Sequence, residues 1–213
     1  MNNYCKILLL LVSLSAYGQE FDHLTRKDGL SQSTVYAILH DSQGFMWFGT
    51  QDGLNKYDGY KFTHYRLELD NPNSLTGNFI VFIYEDQAEN LWIGIDDGGI
   101  AKYNRQLDNF TRYQHDPDEP NSLSSNGVLA IAEDKTGLWI TTYDTGLNHF
   151  DGKKFTNYRH NPNNPNSLSS DALWKIYADK AGILWIGTEN SGLNSFIPET
   201  KQFTHYRHEP DNP

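Results

Sequence analysis

Hydrophobic residues along this chain come in short bursts separated by polar turns, and the order of the bursts repeats. A nearly all-apolar burst spans residues 35–39. A tryptophan-bearing one follows at 45–50, a brief one at 54–57, and one with a Phe-Thr pair at 61–66. The apolar burst returns at 80–84, 128–132 and 173–177. The tryptophan burst returns at 91–95, 138–142 and 183–188, and the brief one at 100–103, 147–150 and 193–196. Bursts of about 5–6 residues suit strands and are too short for stable helices. Three markers keep one period. Trp47, Trp92, Trp139 and Trp185 are 45, 47 and 46 residues apart. The pairs Phe62-Thr63, Phe110-Thr111, Phe155-Thr156 and Phe203-Thr204 keep step with them. So do Ser74-Leu75, Ser122-Leu123 and Ser167-Leu168, with Gly29-Leu30 in the first copy. Four copies of a four-stranded unit about 46 residues long predict an all-β fold, a β-propeller of antiparallel blades.

The pattern within the bursts separates a propeller from a sandwich. A sandwich strand has one wet face and alternates apolar with polar residues. Here the first burst of each copy is apolar on both faces. In the fourth, Phe62 and Tyr65 stand three apart and so face opposite ways. Sheets covered on both sides need neighbours on both sides, which radial repetition supplies. The turns agree. Asp41-Ser42-Gln43-Gly44 and Asp179-Lys180-Ala181-Gly182 place Asp first and Gly last, as a type I turn prefers. Asp58-Gly59 and Asp151-Gly152 signal tight hairpins. Two copies depart from this: the second has Asn90 in place of the turn glycine, and the third is one residue shorter between Asp134 and Trp139. The links between copies are long and rich in Asn and Pro, as at 161–166.

The first residues have a different character. Lys6, the apolar run 7–14 broken only by Ser13, and Ala16-Tyr17-Gly18 read as an export signal cleaved before Gln19, the alternative being an uncleaved N-terminal anchor. Cys5, the only cysteine, lies inside it, so the mature chain would hold no thiol and no disulfide. The expected organisation is a signal peptide at 1–18 and an outer closing strand with its link at 19–30. Blades follow at 31–73, 74–121, 122–166 and 167–213. The closing strand is read from Phe21-Asp22-His23-Leu24, which resembles the fourth-strand sequence Phe203-Thr204-His205-Tyr206. Its inner partners would come from the far end of a ring, so four complete blades form an incomplete ring and the chain reads as an N-terminal fragment.

Composition narrows the partners. The net charge of -10 leaves no basic surface for a phosphate backbone, so nucleic acid is not expected, nor an anionic membrane surface. Aromatics at 14% against 21% charged residues favour packed strands over a disordered tail. Calcium takes 6–8 oxygen ligands and each Asp-x-x-Gly turn offers one carboxylate, so no metal site is expected. His64 and His205 hold equivalent outer-strand positions, where other copies have Arg112 and Asn157, and read as surface residues. No cofactor motif is present.

The string from Leu168-Ser169-Ser170-Asp171 through Asp179, Gly182 and Trp185-Ile186-Gly187-Thr188 to Gly192-Leu193-Asn194 resembles the two-component regulator propeller repeat. The resemblance extends to all four copies. It implies the periplasmic sensor region of a hybrid two-component histidine kinase, anchored in the inner membrane. There a propeller recognises an oligosaccharide and signals through later domains to control transcription. Implied partners are that ligand, the remainder of the propeller and the sensor kinase, and the full-length parent could pair as a homodimer.

Strand order then sorts the loops. The links between copies and the loops between second and third strands share one face, and the Asp-x-x-Gly and Asp-Gly turns share the other. Variable loops on a rigid scaffold carry recognition, so the first face is the expected ligand face. Its inner ring is Ser33, Asn78, Asn126 and Asp171. The next ring holds Gln51-Asp52, Asp96-Asp97, Tyr143-Asp144 and Glu189-Asn190. These acceptors and amides suit sugar hydroxyls. The competing reading is that Ser, Asn and Asp close side-chain-to-backbone turns ahead of each strand. The four periodic tryptophans read as blade core, and losing one would cost about 3–5 kcal/mol. The expected function is a sensory binding module without catalysis. The alternatives are a secreted propeller hydrolase or lyase, which needs two carboxylates about 5–9.5 Å apart, and a protein-binding scaffold.

Overall fold

The computed structural model describes residues 23–208. The export signal and Phe21-Asp22 of the closing strand lie outside the described residues, as do residues 209–213. Sixteen strands form four antiparallel sheets, each in simple up-and-down order. The first sheet holds β1 (Val35–His40), β2 (Met46–Thr50), β3 (Gly53–Tyr57) and β4 (Phe62–Tyr65). The second holds β5 (Ile80–Glu85), β6 (Leu91–Ile95), β7 (Gly99–Asn104) and β8 (Asn109–Tyr113). The third holds β9 (Val128–Asp134), β10 (Gly137–Thr142), β11 (Leu147–Phe150) and β12 (Phe155–Tyr158). The fourth holds β13 (Leu173–Ala178), β14 (Leu184–Thr188), β15 (Leu193–Ile197) and β16 (Gln202–Tyr206). The first strands touch in sequence, β1 to β5, β5 to β9 and β9 to β13, and the sheets do not close into a ring. No helix among the described residues is long and apolar enough to cross a membrane.

The cores lie between blades. Trp47 and Leu54 of the first pack with Ile80, Ile93, Ile95 and Tyr103 of the second. Trp92 and Phe82 pack with Leu138, Ile140 and Phe150 of the third, and Trp139 with Leu184, Ile186 and Phe196 of the fourth. Each of these tryptophans meets one aromatic ring of the next blade nearly edge-on. The centroids are 5.1 Å apart for Trp47–Tyr103, 5.9 Å for Trp92–Phe150 and 5.3 Å for Trp139–Phe196. In the fourth strand, Phe62 contacts Phe48 and Tyr57, while Tyr65 contacts Trp47 and Tyr103 across the junction. Two-sided coverage holds for the middle blades only. Ile38 on β1 and Tyr177 on β13 are exposed, because their counterparts in the middle blades face a neighbour that these two sheets lack.

The Asp-x-x-Gly turns do more than reverse the chain. Asp41 closes its turn on the Gln43 and Phe45 amides and also accepts the Trp47 indole N–H at 2.8 Å. Asp86 does the same for Trp92 at 2.8 Å, and Asp179 for Trp185 at 3.0 Å. The missing residue of the third copy breaks this arrangement. Asp134 holds Thr136 instead, and the buried Trp139 indole N–H has no partner. The turn glycine of the second blade is replaced by Glu89 rather than Asn90. Glu89 adopts φ 61°, matching 87° at Gly44 and 82° at Gly182, and Asn90 stands where Phe45 and Ile183 stand. Counting back from the tryptophan, not along the string of small polar residues, gives this register.

Candidate ligand face

The linker face is assembled by backbone hydrogen bonds between consecutive blades. Gly53 N–H donates to the Asn78 carbonyl (2.8 Å), Gly99 N–H to Asn126 (3.0 Å) and Gly146 N–H to Asp171 (3.0 Å). Each of these glycines has φ between 75° and 98°, and a Cβ would come within about 2.5 Å of a tyrosine carbonyl on the fourth strand. Only glycine meets both demands. The loop after each second strand is thereby tied to the segment leading into the next blade, which puts the two rings of candidate residues on one surface.

Within that surface the candidates divide in two. Asn78 Oδ1 accepts the Leu67 amide at 2.8 Å, Asn126 Oδ1 that of His115 at 2.8 Å, and Asp171 Oδ1 that of His160 at 2.7 Å. Asp171 is also ion-paired with Arg159 at 3.0 Å. Three of the four inner-ring residues therefore hold linker backbone. Each of these bonds reaches back eleven residues along the chain, so the side chain ties down the linker rather than a local turn. Asp52 is likewise engaged, bidentate to Arg66 at 3.0 Å. Among the described residues, Ser33, Asp96, Asp97, Tyr143, Asp144, Glu189 and Asn190 make no side-chain hydrogen bond, and all seven are exposed. A hollow of about 360 Å³ beside Asn190 is completed by Ser191, Gly192, Arg207 and His208.

Sequence reasoning missed the feature that most distinguishes this face. Every innermost strand carries a β-bulge at its second residue. Val35 pairs Thr50 but Ala37 pairs Gly49, and the same skip leaves Val81, Leu129 and Trp174 unpaired. A bulge re-aims one side chain out of the ladder. The four bulged residues, Tyr36, Val81, Leu129 and Trp174, stand at the linker end of the inner strands. Tyr36 is 47% exposed and Trp174 51%. Tyr36 contacts Phe79 at 4.7 Å and accepts a hydrogen bond from Gln51 Nε2 at 2.8 Å. Trp174 is the one tryptophan outside the repeat period, a signal that was available in the sequence.

The periodic tryptophans are elsewhere. Trp47, Trp92 and Trp139 are buried between blades, and Trp185 is half-buried. His64 and His205 are braces: each ring Nε2 lies 2.7 Å from a carbonyl leading into its own blade, Gly29 and Ser167. Arg112 does this work in the second blade, on Ser74 and Asn71. Buried Asn55, Asn148 and Asn194 on the third strands each accept the amide that follows the blade's leading leucine.

The family profile described as "Two component regulator propeller" matches residues 29–52, 122–144 and 167–190. Three stretches of the chain thus resemble the two-component regulator propeller repeat. Each match runs from the link into a blade through its first two strands. The second blade lies between the matches, and it is the one with Glu89 in the turn and Ala101 in place of the buried asparagine. The curated Histidine kinase P4 of Formosa agariphila is 44% identical over 69 residues, 32% of this chain and 5% of that protein. The extracellular domain of the hybrid two component system BT3049 from B. thetaiotaomicron is 33% identical. Its match has TM-score 0.78 and covers 88% of this chain and 26% of that one. The corresponding domain of BT4673 from the same organism is 29% identical with TM-score 0.67, over 80% and 24%. This chain spans about a quarter of the length of those solved relatives.

Proposed function

We propose that this chain is a ligand-sensing propeller of a two-component regulatory system. In this reading it acts outside the cytoplasm, as a non-catalytic part of a hybrid histidine kinase that controls transcription. The observation that carries the reading is the identity with the BT3049 extracellular domain, which runs through 88% of the chain rather than one motif. The ligand is an oligosaccharide. Exposed Tyr36 and Trp174 offer apolar ring faces, and the side chains of Asp97, Tyr143, Asp144, Glu189 and Asn190 are free to meet hydroxyls. Recognition sites combine apolar walls with a few placed polar groups in this way. The engaged residues Asn78, Asn126, Asp171 and Asp52 set the loops and do not contact the ligand.

The test is a glycan screen by calorimetry on the full chain, followed by product analysis. Saturable binding without turnover is expected. Tyr36→Ala and Trp174→Ala should each weaken binding about tenfold or more, equivalent to ~1.4 kcal/mol, with unchanged melting temperature. Release of shorter sugars would replace the sensor with an enzyme. Binding that ignores both substitutions would remove the ligand from this face.

A further inference from the structure

On the opposite face, the junction of the second and third blades holds a hollow of about 220 Å³. Asp86, Trp92, Lys102, Tyr113, Glu133 and Phe150 are among its walls. At the junction of the first and second blades the same place is filled by Arg105. Its Nη1 donates to Asp41 Oδ2 at 2.7 Å and its Nη2 to Glu85 Oε1 at 2.6 Å. The arginine side chain is 17% exposed and that of Asp41 fully buried.

The ladders make the two junctions comparable residue by residue. Asp41 and Asp86 each stand six residues before their tryptophan and accept its indole. Glu85 pairs Leu91, and Glu133 pairs Leu138. Each glutamate also clips the preceding blade: Glu85 accepts the Ser42 amide and Glu133 the Gln87 amide, both at 2.8 Å. The counterpart of Arg105 is Gly152, since Tyr103 pairs Leu91 and Phe150 pairs Leu138. The hairpin there is also two residues shorter, running directly from Phe150 to Phe155 where the second blade needs 104–109 to connect Tyr103 with Phe110. The second junction thus keeps the acid pair and an aromatic wall of Trp92, Tyr113 and Phe150 but lacks the internal cation. Asn90 Nδ2 covers Asp86 at 2.8 Å, whereas Glu133 has only the neutral Gln87 amide and Tyr84 hydroxyl as donors and no cation. Lys102 lies 5.5 Å from the Trp92 ring and makes no ion pair with either acid among the described residues. Burial, with Asp86 and Asp134 nearby, raises the Glu133 pKa, as for a carboxylate lacking a counter-ion.

We infer that this junction binds a guanidinium group from outside the blades, in the position that the Arg105 head occupies one junction earlier. A planar guanidinium matches a carboxylate and stacks on aromatic faces, which a compact ammonium does neither of so well. The source is either an arginine side chain of a partner protein or a free guanidinium compound. The inference does not rest on the oligosaccharide reading, whose residues lie on the other face.

The experiment titrates the full chain with methylguanidinium, methylammonium and an arginine-containing peptide capped at both ends. The readout is the Trp92 indole N–H resonance. A saturable shift with methylguanidinium, weaker with methylammonium, is expected. Glu133→Gln should reduce the affinity about tenfold or more, the worth of a charge-assisted hydrogen bond, while the melting temperature does not fall. Tighter binding of the peptide assigns the site to a partner chain, and equal binding assigns it to the free compound. Shifts that do not saturate, equal response to methylammonium, or unchanged affinity in the variant would overturn the inference.

Discussion

Trp47 and Trp139 form a matched pair that isolates one hydrogen bond. Both are fully buried, at 0% and 1% exposure, and both meet an aromatic ring of the next blade, with interplanar angles of 67° and 68°. Trp47 donates its indole N–H to Asp41, whereas Trp139 donates to nothing. Replacing either by Phe removes similar apolar contact, about 2 kcal/mol. At Trp47 a hydrogen bond to a charged group is lost as well. We take about 2 kcal/mol for it, the lower part of its range, because Arg105 and two amides still hold Asp41. At Trp139 the substitution removes a stranded donor that costs about 1–3 kcal/mol where it stands. Trp47→Phe should therefore destabilise by about 4 kcal/mol and Trp139→Phe by about zero. Urea unfolding of the full chain, with the denaturant slope held common to both variants, measures the difference. Equal losses would refute the argument, because they would mean that the indole–carboxylate bond contributes nothing.

Four other outcomes follow from the same structure. Arg105→Met leaves Asp41 and Glu85 without their cation and should lower stability by about 3 kcal/mol, read as a drop in melting temperature. Gly146→Ala, at φ 83° with Tyr158 O 2.4 Å from the added Cβ, should cost more than Gly44→Ala, at φ 87° in open space. Comparative denaturation ranks the two. Burial raises the Asp41 pKa, but hydrogen bonds from Arg105, Trp47 and the Phe45 amide outweigh it and hold the carboxyl below its ordinary 3.8. Its folded-state pKa is the lower one, so its contribution is whole above about pH 5 and is lost as acid titrates through the folded value. Asp41→Asn should flatten that acid limb of the stability curve. Glu133 has the opposite sign: its folded pKa lies above 4.5, so folding tolerates its charge poorly. Stability should fall slightly as pH rises through that window, and Glu133→Gln should abolish the fall.

Much of the fold is legible from spacing alone. The period of the tryptophans locates sixteen strands to within a residue or two, because a blade is a local object. Its strands pair with their chain neighbours through short turns whose Asp and Gly residues announce themselves. The candidate site is less legible. Asn78, Asn126 and Asp171 look like ligand donors in a string of letters, and only the path of the linker shows that an amide already occupies each of them. Glu89 hides the second turn because a glutamate at φ 61° breaks the glycine rule.

The sequence by itself determined the strand order, the repeat, the distinction between linker face and turn face, and the burial of Trp47, Trp92 and Trp139. The order, the repeat and the two faces follow from the pattern within each copy, and the burial from a tryptophan that recurs at one strand position in every copy. The tertiary structure decided what depends on exact strand register and on two blades meeting. It placed the bulges at Tyr36, Val81, Leu129 and Trp174, filled one junction with Arg105, left the next one open at Gly152, and stranded the Trp139 donor. A hydrogen bond acts over about 3 Å, so whether a polar side chain is free or engaged is a question of position. That position is set by the packing of neighbouring sheets, not by order along the chain.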